Sequence, residues 1–287
     1  MLAFCLVLLM GAVGAAFGAY FGSWMTGVLI GTGFAIVQYS VARSTGNSMV
    51  LAVAGAKAIE SKQEDPQLVN IVEEVAIAAG IPCPTIYVIE DESPNAFATG
   101  FTPAKSAVAV TTGLRFKCSR DELQAIIAHE IGHIRNGDTG YMVLMAILVG
   151  SIAMLTDMAL RGMFYSRGRS GRRGKGHGAI AVVALVLAIL APIVSRILQA
   201  AVSRQREYLA DATSVELTRH PDSLVAALEK LTNDPIPLQA ANRATQHLYV
   251  VNPMRRAKGG GGVLSTHPPL RDRIRRIQEL TIGPPSG

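Results

Sequence analysis

The chain has 287 residues, of which 27 are Lys or Arg and 21 are Asp or Glu, a charged fraction below the roughly 25% usual in soluble domains. The shortfall is concentrated, since residues 1–42 carry no charge and the stretches 139–160 and 180–200 carry one each, Asp157 and Arg196. A single water-soluble globule is thereby excluded, because such runs match the roughly 20 apolar residues a helix needs to cross a bilayer, and disorder is excluded by the ample apolar surface available for burial.

Residues 1–42 are too long for one span and lack the basic beginning of a cleaved signal. They are predicted to form two helices, 2–20 and 25–42, turning near Gly22-Ser23-Trp24. Gly11, Gly14, Ala15, Gly18 and Gly22 are the small residues that let membrane helices approach closely. A second hairpin is expected from 139–160 and 180–200, giving about four transmembrane helices. The loop between them, 161–177, holds 6 basic residues and no acidic one, so the formal charge of +6 is a property of that loop. With only Phe164 and Tyr165 at one end, the loop lacks the interleaved aromatics of a strand-stacking surface. A nucleic-acid partner is therefore not expected, and anionic lipid headgroups are the better match. If all four segments span, 43–138 and 201–287 share one side. Arg43, Lys57, Arg135, Arg204 and Arg206 favour the cytoplasm for it, although the short loop pulls the other way.

Cys5, Cys83 and Cys118 form no C-x-x-C pair, which excludes a disulfide framework and suits a reducing compartment. After Arg43 the chain reads as mixed α and β, mostly helical. Asp65-Pro66 starts a helix that ends at Ala79 before Gly80. Thr85–Ile89, Phe97–Gly100 and Ala107–Thr111 are predicted strands, separated by turn-forming residues. Ser119-Arg-Asp-Glu122 has the form of a capping box opening a helix, and further helices are expected at 201–217, 222–232 and 269–280. Gly259–Gly262 reads as a flexible link.

The capped helix carries His129-Glu130-Ile131-Gly132-His133. Histidines at i and i+4 share a helix face and can reach one ion, with Glu130 beside them to hold an attacking water. A hydrolytic Zn²⁺ takes three protein ligands and keeps a fourth position for water. In Ser203-Arg-Gln-Arg-Glu207-Tyr-Leu-Ala-Asp211, Glu207 and Asp211 lie one turn apart. Glu207 can complete the set, and Asp211 can accept the free N–H of a ligating imidazole.

Asn95-Ala-Phe-Ala-Thr-Gly100, His129-Glu-Ile-Gly-His133 followed by Asn136 and Asp138, Ser203-Arg-x-x-Glu207-x-x-x-Asp211, and Ser265-Thr-His-Pro-Pro269 with Arg273 together resemble the HtpX family of membrane-bound zinc metalloproteases. The resemblance covers nearly the whole chain. It implies a zincin-like catalytic domain with a small β-sheet, one Zn²⁺ held by His129, His133 and Glu207, and Glu130 as general base and acid. It implies an endopeptidase of protein quality control acting on misfolded or damaged membrane proteins. Asn95, Ala96, Phe97, Ala98, Thr99 and Gly100 would form an edge strand on which substrate lies extended. His267 and Arg273 are candidates to stabilise the oxyanion, with capping of the last helix as the other role open to His267. The expected organisation is a hairpin at 1–42, the first part of the protease at 43–138, a second hairpin at 139–200 and the rest of the protease at 201–287. Two rival functions are a narrow protease of the prenyl-protein processing type and a non-catalytic membrane scaffold with structural zinc.

Overall fold

The computed structural model describes residues 2–145, 204–239, 248–250 and 268–281. The chain divides into two units, residues 1–45 with 147–200 and residues 46–146 with 201–287.

α1 (Leu2–Phe21) and the part of α2 (Trp24–Val53) up to residue 45 lie in the first unit and form an antiparallel pair. Gly22 makes the reversal with φ of +103°, a conformation only glycine adopts without strain. The Ser23 hydroxyl then accepts the Thr26 N–H at 3.3 Å, closing the first turn of α2. The helices meet backbone to backbone: a Cβ on Gly14 would strike the Gly27 carbonyl oxygen, and one on Gly27 the Gly14 carbonyl oxygen. Among the described residues α2 is the helix long and apolar enough to cross a membrane. Its Leu29 and Ile30 are 74% and 68% exposed, as side chains that face lipid should be. The sequence placed the end of this helix at residue 42, and the structure corrects it to Val53. Ser44-Thr45-Gly46-Asn47-Ser48 reads as a loop, yet it stays helical because Val50 and Leu51 beyond it are buried, and Gly55, with φ of +66°, provides the stop.

The second unit is built on a four-stranded sheet of β1 (Lys57–Ala58), β2 (Thr85–Ile89), β3 (Ala96–Thr99) and β4 (Ala107–Thr111) in the order β1-β2-β4-β3. β2 and β4 run parallel, and β1 and β3 flank them antiparallel. β4 is buried along its whole length, which fits its unbroken Ala-Val-Ala-Val run. One face packs Ala96, Ala98, Val108 and Val110 against α3 (Pro66–Ala79), α5 (Arg120–Arg135) and α7 (Pro221–Asn233). The other packs Phe97, Ala107 and Ala109 against Leu51, Met142 and Tyr249.

Local chemistry sets the helix ends. Asp65 accepts the Leu68 N–H and receives a two-pronged bond from Arg115 at 2.6 and 2.8 Å. Gly80 terminates α3 in the left-handed region. Ser119 and Glu122 form the expected reciprocal capping box on α5. β1 and the short α4 (Thr112–Lys117) were not foreseen; β1 has two residues, too few to show any alternation. The remaining helices are α6 (Arg204–Thr218) and α8 (Leu270–Thr281). Helical turns begin at 138 and continue to 145. Beyond them the expected second hairpin, the loop 161–177, residues 201–203 and Gly259–Gly262 lie outside the described residues.

Candidate metal centre

α5 packs a buried stripe of Leu123, Ile126, Ile127, Ile131 and Ile134 into the core. The same helix turns His129, Glu130 and His133 inward at 1%, 2% and 4% exposure. Polar groups so deep need partners, and α6 supplies them. Its Glu207, Ala210, Asp211 and Ser214 are buried, at the i, i+3, i+4, i+7 spacing of one helix face. Gly132 permits the close approach: a Cβ there would lie 3.2 Å from Thr213 Cβ and 3.4 Å from the Ala210 Cα. The Ser214 hydroxyl donates to the Ala125 carbonyl at 2.7 Å, fixing the register of the two helices.

That register brings one nitrogen of each imidazole and a carboxylate oxygen of Glu207 within 4.8 Å of one another. His133 Nε2 is 3.7 Å from Glu207 Oε1, and His129 Nε2 is 3.9 Å from Oε2. A tetrahedral ion with ligands at about 2.0–2.2 Å holds its donors roughly 3.4 Å apart, so side-chain adjustments of a few tenths of an ångström close the set. The rings are perpendicular, with centroids 4.9 Å apart, so their Nε2 atoms converge without stacking.

Behind each imidazole stands a carboxylate. His129 Nδ1 is 3.0 Å from Asp211 Oδ1, and His133 Nδ1 is 3.2 Å from Asp138 Oδ2. Each contact holds the ring so that Nε2 presents its lone pair to the shared point. Asp211 meets the sequence expectation. In the sequence Asp138 stands out only as part of a motif; the demand of every ligating imidazole for an acceptor on its far nitrogen is the signal that finds it. Burial works against the charge on Asp211, yet Arg273 and His129 hold its pKa down to about 2. Burial also favours neutral rings. At His129 it prevails, helped by Arg273 and His133, and the pKa falls; at His133 the carboxylates of Asp138, Glu207 and Glu130 outweigh it and raise the pKa to about 9. Glu130 is pushed up to about 7, chiefly by burial and also by Glu207.

Arg273 comes from α8 and is 3% exposed. Its Nη2 and Nε bond Asp211 at 2.6 and 2.8 Å, and Nη1 lies 3.8 Å from Glu207 Oε2. The guanidinium proposed for an oxyanion is thus fastened to the carboxylate behind His129. His267 lies outside the described residues. Tyr208 faces away from the centre and packs under the Arg276 guanidinium, 3.9 Å from its ring centroid.

Asn95–Gly100 includes β3, which stands at an edge of the sheet. Thr111 N–H donates to the Asn95 carbonyl, so alternation turns Asn95, Phe97 and Thr99 toward β4 and Ala96, Ala98 and Gly100 outward. The outward Ala98 N–H bonds Glu130. The Ala96 carbonyl accepts Val250 N–H at 3.0 Å, and the Gly100 carbonyl accepts the Thr139 hydroxyl at 2.6 Å.

Two histidines from one helix, a carboxylate from a second and a buried glutamate bonded to a sheet edge define a metallopeptidase. Residues 62–281 match Peptidase family M48. The chain is 42% identical over 279 residues to a protein named Protease HtpX homolog from Thermoanaerobacter pseudethanolicus, covering 96% of this chain and 92% of that one. It is 40% identical over 278 residues to one of the same name from Listeria monocytogenes, covering 93% and 91%. A third from Dictyoglomus thermophilum is 42% identical, covering 96% and 89%. The chain belongs to peptidase family M48 and, within it, to the HtpX proteases; it is a membrane metalloprotease. The fold is similar to that in the crystal structure of S. mikatae Ste24p, with a TM-score of 0.55 and 20% identity, covering 93% of this chain and 62% of that one.

Proposed function

We propose that the chain is a zinc-dependent endopeptidase that cleaves misfolded or damaged membrane proteins, with four membrane helices and the catalytic part on the cytoplasmic side. The observation that carries this reading is the convergence of His129, His133 and Glu207 within 4.8 Å. Two imidazoles and one carboxylate make up the donor set of an open, hydrolytic zinc site, whereas structural sites are closed by four protein ligands. When bound there, zinc supplies a Lewis acid and a water that ionises near neutral pH.

The remaining chemistry belongs to the chain. Glu130, with a pKa of about 7, takes the proton of the attacking water and delivers it to the leaving amine. Its bond to Ala98 N–H fixes it against the outward side of β3. A peptide lying extended along that side passes the base as it pairs with the strand. Pairing at Ala96 replaces the bond from Val250.

The membrane supports the choice of substrate. Glu207 lies seven residues after Ala200, the end of an apolar segment, and His133 six before Thr139, the start of another. Seven residues reach at most about 25 Å even when extended, and this short tether to an apolar segment supports substrates that are themselves segments leaving a membrane. The test is digestion of an unfolded membrane protein by the detergent-purified chain, with chelator and then with zinc restored. Cleavage that stops and returns supports the reading; cleavage indifferent to chelator defeats it.

A further inference from the structure

Behind each carboxylate of the centre stands an arginine, and the two arrangements differ. On the His129 side, Arg273 grips Asp211 with two bonds of 2.6 and 2.8 Å. On the His133 side, Arg206 Nε lies 3.5 Å from Asp138 Oδ1, and the Arg206 side chain is 28% exposed. Arg206 Cζ sits 4.7 Å from the centroid of the Tyr141 ring. Its Nη1 is inaccessible to solvent and makes no hydrogen bond among the described residues. The guanidinium is thus partly withdrawn from water for one loose ion pair and one ring.

The placement follows from helix geometry. Residues 206 and 207 are adjacent on α6, about 100° apart around its axis, so one turn sends Glu207 to the ligand atoms and Arg206 to the back of the neighbouring imidazole. Asp138 and Tyr141 are three apart on helical turns and face the same side. They form a carboxylate and a ring between which one planar cation fits. Asp138 is 6% exposed, and the oxygen it does not turn to His133 needs a partner of its own to fix the carboxylate's orientation. Arg273 cannot serve, because Asp211 occupies it.

We propose that Arg206 is a positioning residue for His133: with Tyr141 as its platform it holds Asp138 in the orientation that accepts the His133 Nδ1–H, and so sets how tightly His133 grips the metal. This rests on the zinc reading of the site. A guanidinium serves where an ammonium would do less, since it lies flat on an aromatic ring while donating in its plane. Exchange of such outer partners costs metal affinity by about 10–100-fold.

The experiment uses the full chain in detergent and measures the zinc dissociation constant by competition with a chromophoric chelator, beside the thermal midpoint of the metal-free protein. Arg206→Gln is expected to weaken zinc binding about tenfold while leaving the metal-free midpoint close to wild type. Arg206→Lys should recover part of the loss. Tyr141→Phe should bind as wild type and Tyr141→Leu more weakly, with the metal-free midpoint of Tyr141→Leu close to wild type. Zinc affinity of Arg206→Gln within about twofold of wild type overturns the inference, as does a loss matched by an equal fall in metal-free stability. A wild type that binds no zinc overturns the metal reading itself, which separates the two failures.

Discussion

Arg273 and Asp211 form a two-pronged ion pair, 2.6 and 2.8 Å long, with both side chains 3% exposed. The pair ties α8 to α6 and braces the carboxylate that holds His129. Removing one member of a buried pair strands the other charge, at a cost of about 3–5 kcal/mol. Arg273→Met should therefore lower the denaturation midpoint markedly and weaken zinc binding. A variant as stable as wild type would show that the pair is unimportant to the fold.

Glu130 is assigned to proton transfer and not to metal holding. Glu130→Gln keeps the size of the side chain and its capacity to accept the Ala98 N–H, so zinc content should stay at the wild-type level. Peptidase turnover should fall by roughly 10²–10⁴-fold, the range of general acid–base contributions. Near-normal turnover in this variant would remove the proposed role.

Protons and metal compete for His133. In the metal-free site its pKa is raised to about 9, whereas that of His129 is lowered. Near pH 7 zinc must therefore expel one proton from His133, and affinity should rise about tenfold per pH unit until roughly pH 9, then flatten. Calorimetry in two buffers of different ionisation enthalpy should show about one proton released per zinc at pH 7.5; none released would contradict the assignment. In the metal-free protein, the stability contributed by this raised pKa is complete below the ordinary value of 6.5 and is lost as pH rises through about 9.

The contact of α1 with α2 depends on missing side chains. A Cβ at Gly27 would overlap the backbone of Gly14 and Gly18, while one at Gly33 would meet nothing within 4 Å. Gly27→Leu should lower the thermal midpoint in detergent and Gly33→Leu should leave it unchanged. Equal effects would show that the helices do not meet at these glycines.

What the sequence made legible was local or strongly patterned. The caps at Asp65 and Ser119, the stop at Gly80, the turn at Gly22 and the three metal donors all follow from residues within a few positions of one another or from a donor set only one chemistry uses. The overrun of α2 to Val53 was hidden because burial of Val50 and Leu51, not helix propensity, sustains it. The pairing of Asp138 with His133 and Arg206, and of Arg273 with Asp211, depends on how distant helices cross. Gly132 illustrates the same limit: within the motif it reads as an idle spacer, yet its missing side chain lets α6 deliver Glu207.

The most direct test is zinc content per chain, measured by elemental analysis on protein purified without chelator, for wild type and Glu207→Ala side by side. About one zinc in wild type and almost none in the variant is the expected result. No zinc in wild type, or equal zinc in both, would contradict a single ion shared by His129, His133 and Glu207.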